Sequence, residues 1–508
     1  VQAWLEMLVA RELVVEHREP RFAGQRQYGF RHGIVREAAY AMLPERDRVH
    51  GHRIVGDWLE RRGSDADAVA IAEHFERGGD PARSVGWYRR AAEHALEGHD
   101  LESAIDRAER AIAAAGDAEP AVIGALRQLQ ADAHLWRDEY ALAIERGDAA
   151  LARLPAGSPG WLAAAAAVAH GCTRKLETDR VVELCRALAA IAPTPETWRD
   201  FARAVSMTAS TLLWSNESAL VEQLYAKLDR IAIDASADPA TLAHVGLARA
   251  WRAFHAGDFA ESYRLDLATE QWHIAVGDLR QAAQQRANVG YDEMMLGAYA
   301  LAEASLTDAI AMAQRMGLAQ VTNQARHNLG LALARQGRLD EARAVERAAL
   351  DAFAAQDAHR LASASNNYLA MIEIAAGNYA AAVDYSRAAI DKTPDAPAMR
   401  VQFHGTLSRA YHLAGDLPAA LAHARIAMRM IDEQGRPEEG EVDVYVAYAE
   451  ILAATGAHAH ARRTLALAVA RIREAAARIA DPEWRDSFVR AVPIHARAFE
   501  LAHAWGVD

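Results

Sequence analysis

Cysteine is scarce in this sequence, and its scarcity excludes a scaffold held together by disulfides. The 508 residues include only two cysteines, Cys172 and Cys185, too few for a disulfide framework and without the spacing of metal ligands. A reducing cytoplasm is therefore the expected compartment. No apolar run reaches the roughly 18 residues needed to span a bilayer. The most apolar stretch, 161–170, is built from alanine and suits a packed helix.

Positive charge is also in short supply. The sequence contains 56 Lys and Arg against 69 Asp and Glu, which gives a net charge of −13. A chain-wide surface for nucleic acid or anionic membrane needs the opposite balance, because basic side chains supply its affinity.

Sequence motifs of catalysis are missing as well. There is no GxxxxGK[ST] phosphate loop and no glycine-rich kinase loop followed by HRD and DFG. His50 with His52, and His458 with His460, lie two residues apart, and such pairs point to different sides of a helix. We expect no catalytic residue, no cofactor and no metal site, although a carboxylate pair assembled across distant segments stays open.

What the sequence does contain is an internal repeat. A short phrase recurs, in which Gly and one or two polar residues precede an aromatic residue or Leu, and a small residue follows after two further residues; the member at 137–143 lacks the Gly. The closing small residues are Ala104, Ala143, Ser262, Ala302, Ala342, Ala382, Ala420 and Ala461. Neighbouring members are separated by roughly 40 residues, a period typical of helical repeats. The one longer gap, from Ala143 to Ser262, equals three such periods and predicts two degenerate repeats near residues 180 and 220.

The phrase has a physical reason. Gly can end a helix in the left-handed conformation that other residues resist. The small residue then lets a second helix approach the first closely. Apolar residues at i, i+3, i+4 and i+7 run through each half of the repeat, which is helical periodicity. The sequence therefore predicts an all-α protein made of helix pairs.

One segment of the repeat resembles a known repeat family closely. The run NLGLALARQGRLDEARAVERAAL at 328–350 resembles a tetratricopeptide repeat, with a longer period than is usual for that family. The resemblance implies a right-handed superhelix, an α-solenoid of about ten helix pairs between residues 80 and 480. At the end of the array, Asp481 and Pro482 predict the start of a C-terminal capping helix over 481–508.

The first eighty residues differ from the array. Residues 1–32 show a helix, a short strand and a hairpin around Gly24, which resembles the end of a winged helix, and 33–80 are expected to be a helical linker before repeats at 81–480. The stretch 30–115 resembles the junction that follows the nucleotide-binding module of signal-transduction ATPases with numerous domains.

That junction is found in large bacterial, myxobacterial-type serine/threonine kinases. The resemblance implies the regulatory tail of such a kinase or ATPase, with both catalytic modules upstream. The start at Val1 is expected to be that of a fragment. DNA binding through the wing, with Arg21, Arg26 and Arg31, stays open but lacks the expected basic excess.

The first helices of the repeats carry the best candidate binding residues. Gln284 and Asn288 lie four residues apart on one helix face, and Gln324 with Asn328 repeats the pattern one period later. In tetratricopeptide proteins this face lines a concave groove, where amides, arginines and aromatic rings can hold a peptide. The predicted partner-binding residues are Trp251, Gln284, Asn288, Tyr291, Gln324, His327, Asn328, Arg335, Asn367, Tyr368, Met371, Gln402 and Arg409.

The leading functional hypothesis is a non-catalytic interaction module for signal transduction. Its groove is expected to bind a peptide, a partner protein or the upstream domains of its own chain. The alternative is a small-molecule-sensing repeat domain of a transcription regulator, which requires a closed and mostly apolar pocket with a few convergent polar groups.

Overall fold

A computed structural model describes residues 1–22, 24–62, 67–116, 119–175, 177–213, 217–234, 238–356, 358–393, 397–434 and 439–507. Within these residues the chain forms 26 α-helices, one two-stranded sheet and the 3₁₀ helix Ser210–Leu212. None of the described helices is both long enough and apolar enough to cross a membrane. The chain divides into two compact units, Val1–Leu129 and Gln130–Asp508.

The first unit holds the sheet and the earliest helices. Its elements are α1 (Gln2–Ala10), β1 (Val14–Glu16), β2 (Tyr28–Phe30), α2 (Gly33–Ala41), α3 (Glu45–Arg62), α4 (Ala68–Arg77), α5 (Pro81–Glu97), α6 (Leu101–Ala115) and the first part of α7 (Pro120–Trp136).

The predicted hairpin forms, with a different first strand. β1 and β2 pair antiparallel, with Val14 opposite Phe30 and Glu16 opposite Tyr28. The first strand is thus the Val-rich run that follows α1, and the residues before Gly24 lie outside it. β-Branched residues favour the pleated conformation, which explains this choice. The core of the unit lies further along, around the fully buried rings of Phe75 and Tyr88.

The second unit contains only helices among its described residues. After the remainder of α7 come α8 (Tyr140–Leu151), α9 (Pro159–Lys175), α10 (Thr178–Ala190), α11 (Trp198–Ala209), α12 (Ser218–Asp234), α13 (Pro239–His255), α14 (Phe259–Ala275), α15 (Leu279–Met295), α16 (Tyr299–Arg315), α17 (Ala319–Arg335), α18 (Leu339–Ala355), α19 (His359–Ala375), α20 (Tyr379–Asp391), α21 (Pro397–Ala414), α22 (Leu417–Gln434), α23 (Glu441–Ala454), α24 (His458–Arg478), α25 (Pro482–Arg490) and α26 (Pro493–Trp505).

The helix boundaries follow the predicted period. The first helix pair is α5 and α6, and the last is α23 and α24. The second helices of successive pairs begin roughly 40 residues apart, as the repeat predicts. The two degenerate repeats are present, because α10 begins at Thr178 and α12 at Ser218. From α13 to α19 every helix has 17 residues. This regularity confirms the all-α, tetratricopeptide-like fold.

The joints of the pairs are built as the sequence indicated. All eight closing small residues are at most 2% exposed, so the second helix of each pair packs tightly on its neighbours. The joint glycines from Gly257 to Gly456 have φ between +76° and +87°. Two joints differ: in the first, His99 and not Gly98 takes the left-handed conformation, and in the second Asp138 does so.

Within the second unit, helices that lie far apart in the sequence also come into contact. The alanine-rich helix α9 packs against α19 as well as against its neighbours in sequence, and residues 161–169 of α9 are all buried.

At the C-terminal end, Asp481 caps α25 by accepting hydrogen bonds from the backbone N–H of Glu483 and Trp484. A helix starts at the predicted place, but two helices, α25 and α26, occupy the span in which the sequence predicts a single capping helix.

The joint residue Ala342 provides a test of the array. Ala342→Leu should lower the free energy of unfolding by about 1–3 kcal/mol, because the added atoms have no space between α17 and α18. Ala348→Leu, on the exposed side of α18, is the matched control and should change it by less than about 0.5 kcal/mol. Urea unfolding followed by circular dichroism measures both, and equal effects would contradict tight packing at the joint.

Candidate functional site

A cavity of about 150 Å³ lies within the second unit. One wall comes from the first helices of successive pairs. Met294 of α15, Leu331 and Arg335 of α17, and Tyr368 and Met371 of α19 all line it. Because these helices follow one another at the same period, corresponding positions of neighbouring repeats meet in one space.

The opposite wall comes from the C-terminal part of the chain. It includes residues 439–443, the α24 side chains Arg471 and Ile472, and Phe488 with His495 from α25 and α26. Apolar groups share this lining with many charged side chains, namely Arg335, Glu439, Glu441, Asp443, Arg471, Glu474 and Arg478. Such a mixed lining suits a ligand that carries both an apolar group and a charged one.

The C-terminal helices close the cavity on one side. The ring of Phe488 lies 5.9 Å from that of Phe259, and the ring of Trp484 lies 4.7 Å from that of Tyr263. The backbone of α25 passes so near Gly297 that a Cβ there would lie 2.9 Å from the carbonyl oxygen of Ser487. The face that the sequence assigned to an open groove is thus partly covered by the chain itself.

The charges of the cavity are unevenly matched. Arg471 forms ion pairs with Glu441 at 3.1 Å and with Glu474 at 3.2 Å. Glu439 accepts hydrogen bonds from Gln402 Nε2 at 3.1 Å and from the hydroxyl of Tyr291. Arg335 differs, since neither an ion pair nor a hydrogen bond joins its guanidinium to any described residue.

Two titratable groups of this cavity are shifted by burial. Burial raises the pKa of Tyr299 and lowers the pKa of His495. The Nδ1 of His495 lies 2.8 Å from the carbonyl oxygen of Phe488 and must donate, because a carbonyl can only accept. His495 is therefore a neutral ring that fixes the turn between α25 and α26.

A second, much smaller cavity of about 10 Å³ lies near the first. Its lining consists of three aromatic rings, two carboxyl groups and two polar side chains, namely Trp251, Phe254, Tyr291, Asp266, Asp292, Ser262 and Asn288. Phe254 contacts lining residues of both cavities. Its ring stacks on that of Tyr291 in the smaller cavity at 5.3 Å and lies 5.2 Å from that of Phe259 in the larger one.

The two carboxyl groups of the small cavity are buried beside each other. Asp266 is 5% exposed and Asp292 is 1% exposed. Gln285 Nε2 donates to Asp266 Oδ1, whereas Asp292 Oδ2 has no hydrogen-bond partner within the described part of the chain. Burial raises the pKa of Asp266 to about 7, and burial together with the Asp266 carboxyl raises the pKa of Asp292.

Seven of the predicted binding residues line these cavities. Arg335, Tyr368, Met371 and Gln402 line the larger one. The smaller one is lined by Trp251, Asn288 and Tyr291.

The other six predicted residues lie elsewhere. Gln284 of α15 and Gln324 of α17 lie side by side, and the distance from Nε2 of the first to Oε1 of the second is 3.5 Å. These are the two glutamines that the sequence places one period apart. The Nδ1 of buried His327 forms a hydrogen bond of 2.7 Å with Oε1 of Glu346. The remaining three residues line neither cavity: Asn328, Asn367 and Arg409.

The repeat-based prediction missed Asp266 and Asp292, although a signal was present. The buried face of α16 carries Ala302, Leu306, Ala309 and Ala313. One period earlier, α14 carries polar residues at the matching positions: Ser262, Asp266, Thr269 and His273. Polar side chains where the period demands apolar ones are costly to bury, and they mark a site that packing alone does not explain.

The described residues contain no group of three His, Cys, Asp or Glu side chains placed to hold a metal ion. No family model matches the sequence. No curated protein matches it either.

Several solved structures have a similar fold. The Rap protein complexed with Competence and Sporulation Factor is 13% identical over 68% of this chain and 99% of its own, with a TM-score of 0.47. The Rap conjugation gene regulator of plasmid pLS20 with the Phr* peptide is 15% identical over 69% and 97%, with a TM-score of 0.42. The signal-transduction ATPase with a tetratricopeptide repeat sensor from Pyrococcus horikoshii is 14% identical over 79% and 66%, with a TM-score of 0.45. At TM-scores below 0.5, none of these similarities bears on the function of this chain.

The raised pKa of Asp266 predicts how stability depends on pH. An unfolded Asp loses its proton at about pH 3.9, whereas folded Asp266 keeps its proton until about pH 7. The folded state therefore holds the extra proton between these values, and its stabilising effect is lost as the pH rises through 7. Compared with Asp266→Asn, the parent should lose on the order of 2 kcal/mol between about pH 5 and pH 9.

Thermal unfolding of both proteins across this pH range measures the difference. Asp351→Asn is the matched control, since Asp351 is exposed on α18, and it should follow the parent at every pH. An Asp266→Asn curve parallel to that of the parent would contradict the shifted carboxyl group.

Proposed function

We propose that this chain is a non-catalytic binding module whose larger cavity accepts part of a partner polypeptide. The observation that carries the proposal is the lining of that cavity. Side chains from α15, α17, α19 and α21 converge on one space. Four of them, Arg335, Tyr368, Met371 and Gln402, stand at positions that the sequence assigned to binding.

The cavity supports a ligand of defined chemistry. Met294, Leu331 and Met371 offer flexible apolar walls that fit one inserted side chain. Arg335 stands beside them and forms no ion pair with any described residue, and a guanidinium favours a carboxylate. The proposed ligand is therefore a peptide segment with an apolar side chain next to a carboxylate.

The enclosure of the cavity favours a second candidate function. Phe488 and His495 close one side, and a space of about 150 Å³ can also hold a compound of roughly benzene size. A small apolar carboxylate would use the same groups as the peptide. This is the small-molecule-sensing function that the sequence left as the alternative.

The regulatory setting is likewise a proposal. The resemblance of residues 30–115 implies a cytoplasmic signal-transduction ATPase or serine/threonine kinase, and the upstream domains of the same protein are then candidate occupants of the cavity. Those modules, added in trans, should bind this chain and change in activity, and failure of both would remove this setting.

Selection from a displayed library of random peptides tests the binding function. Enriched peptides should bind the parent, and Arg335→Ala should weaken them about tenfold through the lost charge-assisted hydrogen bonds. Met371→Ala should weaken peptides that carry a large apolar residue.

Arg315→Ala supplies the control for that selection. Arg315 ends α16 with its side chain exposed, so its loss should leave the affinity unchanged. If no peptide is enriched, or if Arg335→Ala binds as well as the parent, the peptide function is wrong. Binding of small apolar carboxylates, again dependent on Arg335, would then support the second candidate.

A further inference from the structure

The smaller cavity combines two kinds of group that are seldom buried together without a reason. Its walls are aromatic: Phe254 stacks on Tyr291 at 5.3 Å, and Trp251 meets Phe254 at 6.0 Å with an interplanar angle of 70°. Its base holds the carboxyl groups of Asp266 and Asp292. Aromatic faces carry negative potential, so rings and carboxyl groups together favour positive charge in this space.

The array itself supplies a comparison. Glu346 of α18 lies two periods after Asp266 of α14 and occupies the same position of its helix. The carboxylate of Glu346 is met by His327 at 2.7 Å. Asp266 has no such histidine partner among the interactions that the structure describes, and it faces a second carboxyl group on α15 instead.

One oxygen at this base is left without a bond. Asp292 is only 1% exposed and lines the cavity, and its Oδ2 has no hydrogen-bond partner among the described residues. A buried polar atom without a partner costs roughly 1–3 kcal/mol, and more when it is charged. Such an atom, in a residue that lines the cavity, indicates a missing donor.

The size of the space limits what that donor can be. A volume of about 10 Å³ is close to that of one water-sized sphere. From the aromatic walls, the paired carboxyl groups and this size, we infer that the smaller cavity is a subsite for the ammonium group of a ligand.

The donors and acceptors match in number. An alkylammonium group has three N–H donors. Asp292 Oδ2 and the second oxygen of Asp266 supply two acceptors, and the side-chain oxygen of Asn288 or Ser262 lies in the same lining for the third. The rings of Trp251 and Tyr291 then contact the charged group through their faces.

The subsite extends the proposed function, on which it rests for the identity of the rest of the ligand. Phe254 contacts both the small cavity and Phe259 of the larger one. Tyr291 lines the small cavity and hydrogen-bonds Glu439 in the larger one. One ligand could therefore place its ammonium group in the small cavity and its carboxylate beside Arg335.

Calorimetric titration of the full chain with n-butylammonium tests the subsite directly. We expect one binding site for n-butylammonium and none for 1-butanol, which has a similar chain without the charge. Asp292→Asn should weaken n-butylammonium about tenfold, as should Trp251→Leu, while Asp351→Asn should bind as the parent does. Circular dichroism checks that each variant is folded, and the comparison of amine with alcohol needs no variant.

Two further probes identify the source of the ammonium group. N-acetyl-lysinamide carries only a side-chain ammonium, and alaninamide carries only a terminal one. Displacement of n-butylammonium by the first supports a lysine side chain as the natural occupant, and displacement by the second supports a chain N-terminus.

The subsite is wrong if n-butylammonium fails to bind, or if it binds no better than 1-butanol. It is also wrong if a folded Asp292→Asn binds it as the parent does. Asp266 and Asp292 would then share a proton and nothing more. Those results would leave the binding function untouched, because that function is tested by selected peptides and by Arg335→Ala.

Discussion

The structure of the second unit depends on one steric constraint, a small side chain where each second helix meets the first. Ala302, Ala342 and Ala382 are fully buried at this position, and any larger group would hold the two helices apart. Because the constraint recurs once in every period, each pair packs on the next with nearly the same geometry. Corresponding side chains of successive first helices then face one shared space, and the larger cavity is the result.

The same regularity exposes what packing does not explain. A repeat array gains its stability by burying apolar faces between neighbours, so polar groups on those faces reduce it. His327 with Glu346 is such a group, but here the carboxyl group has a histidine partner within the array. Asp266 with Asp292 is another, and no basic side chain meets it among the interactions described for Asp266. A site that tolerates this cost is best explained by a ligand that removes it.

The period, the helix pairs, the joints and the cap at Asp481 could be predicted from the sequence, because they are local and repeat. Arg335, Tyr368, Met371 and Gln402 could also be predicted, since their spacing places them on one face. The wall from Glu439 to His495 could not, because it depends on how far the array curves before its C-terminal helices meet α14 and α15. The paired Asp266 and Asp292, which lie on two successive helices, are visible in the sequence as misplaced polar residues but not as neighbours.

The claim at the centre of this account is that the inner faces of the first helices bind the ligand. Hydrogen exchange measured by mass spectrometry, with and without a saturating selected peptide, tests it most directly. Amides of α15, α17, α19 and α21 should gain protection on binding, together with residues 439–443 and α25. Protection confined to the outer helices α16, α18 and α20, or to the first unit, would contradict it.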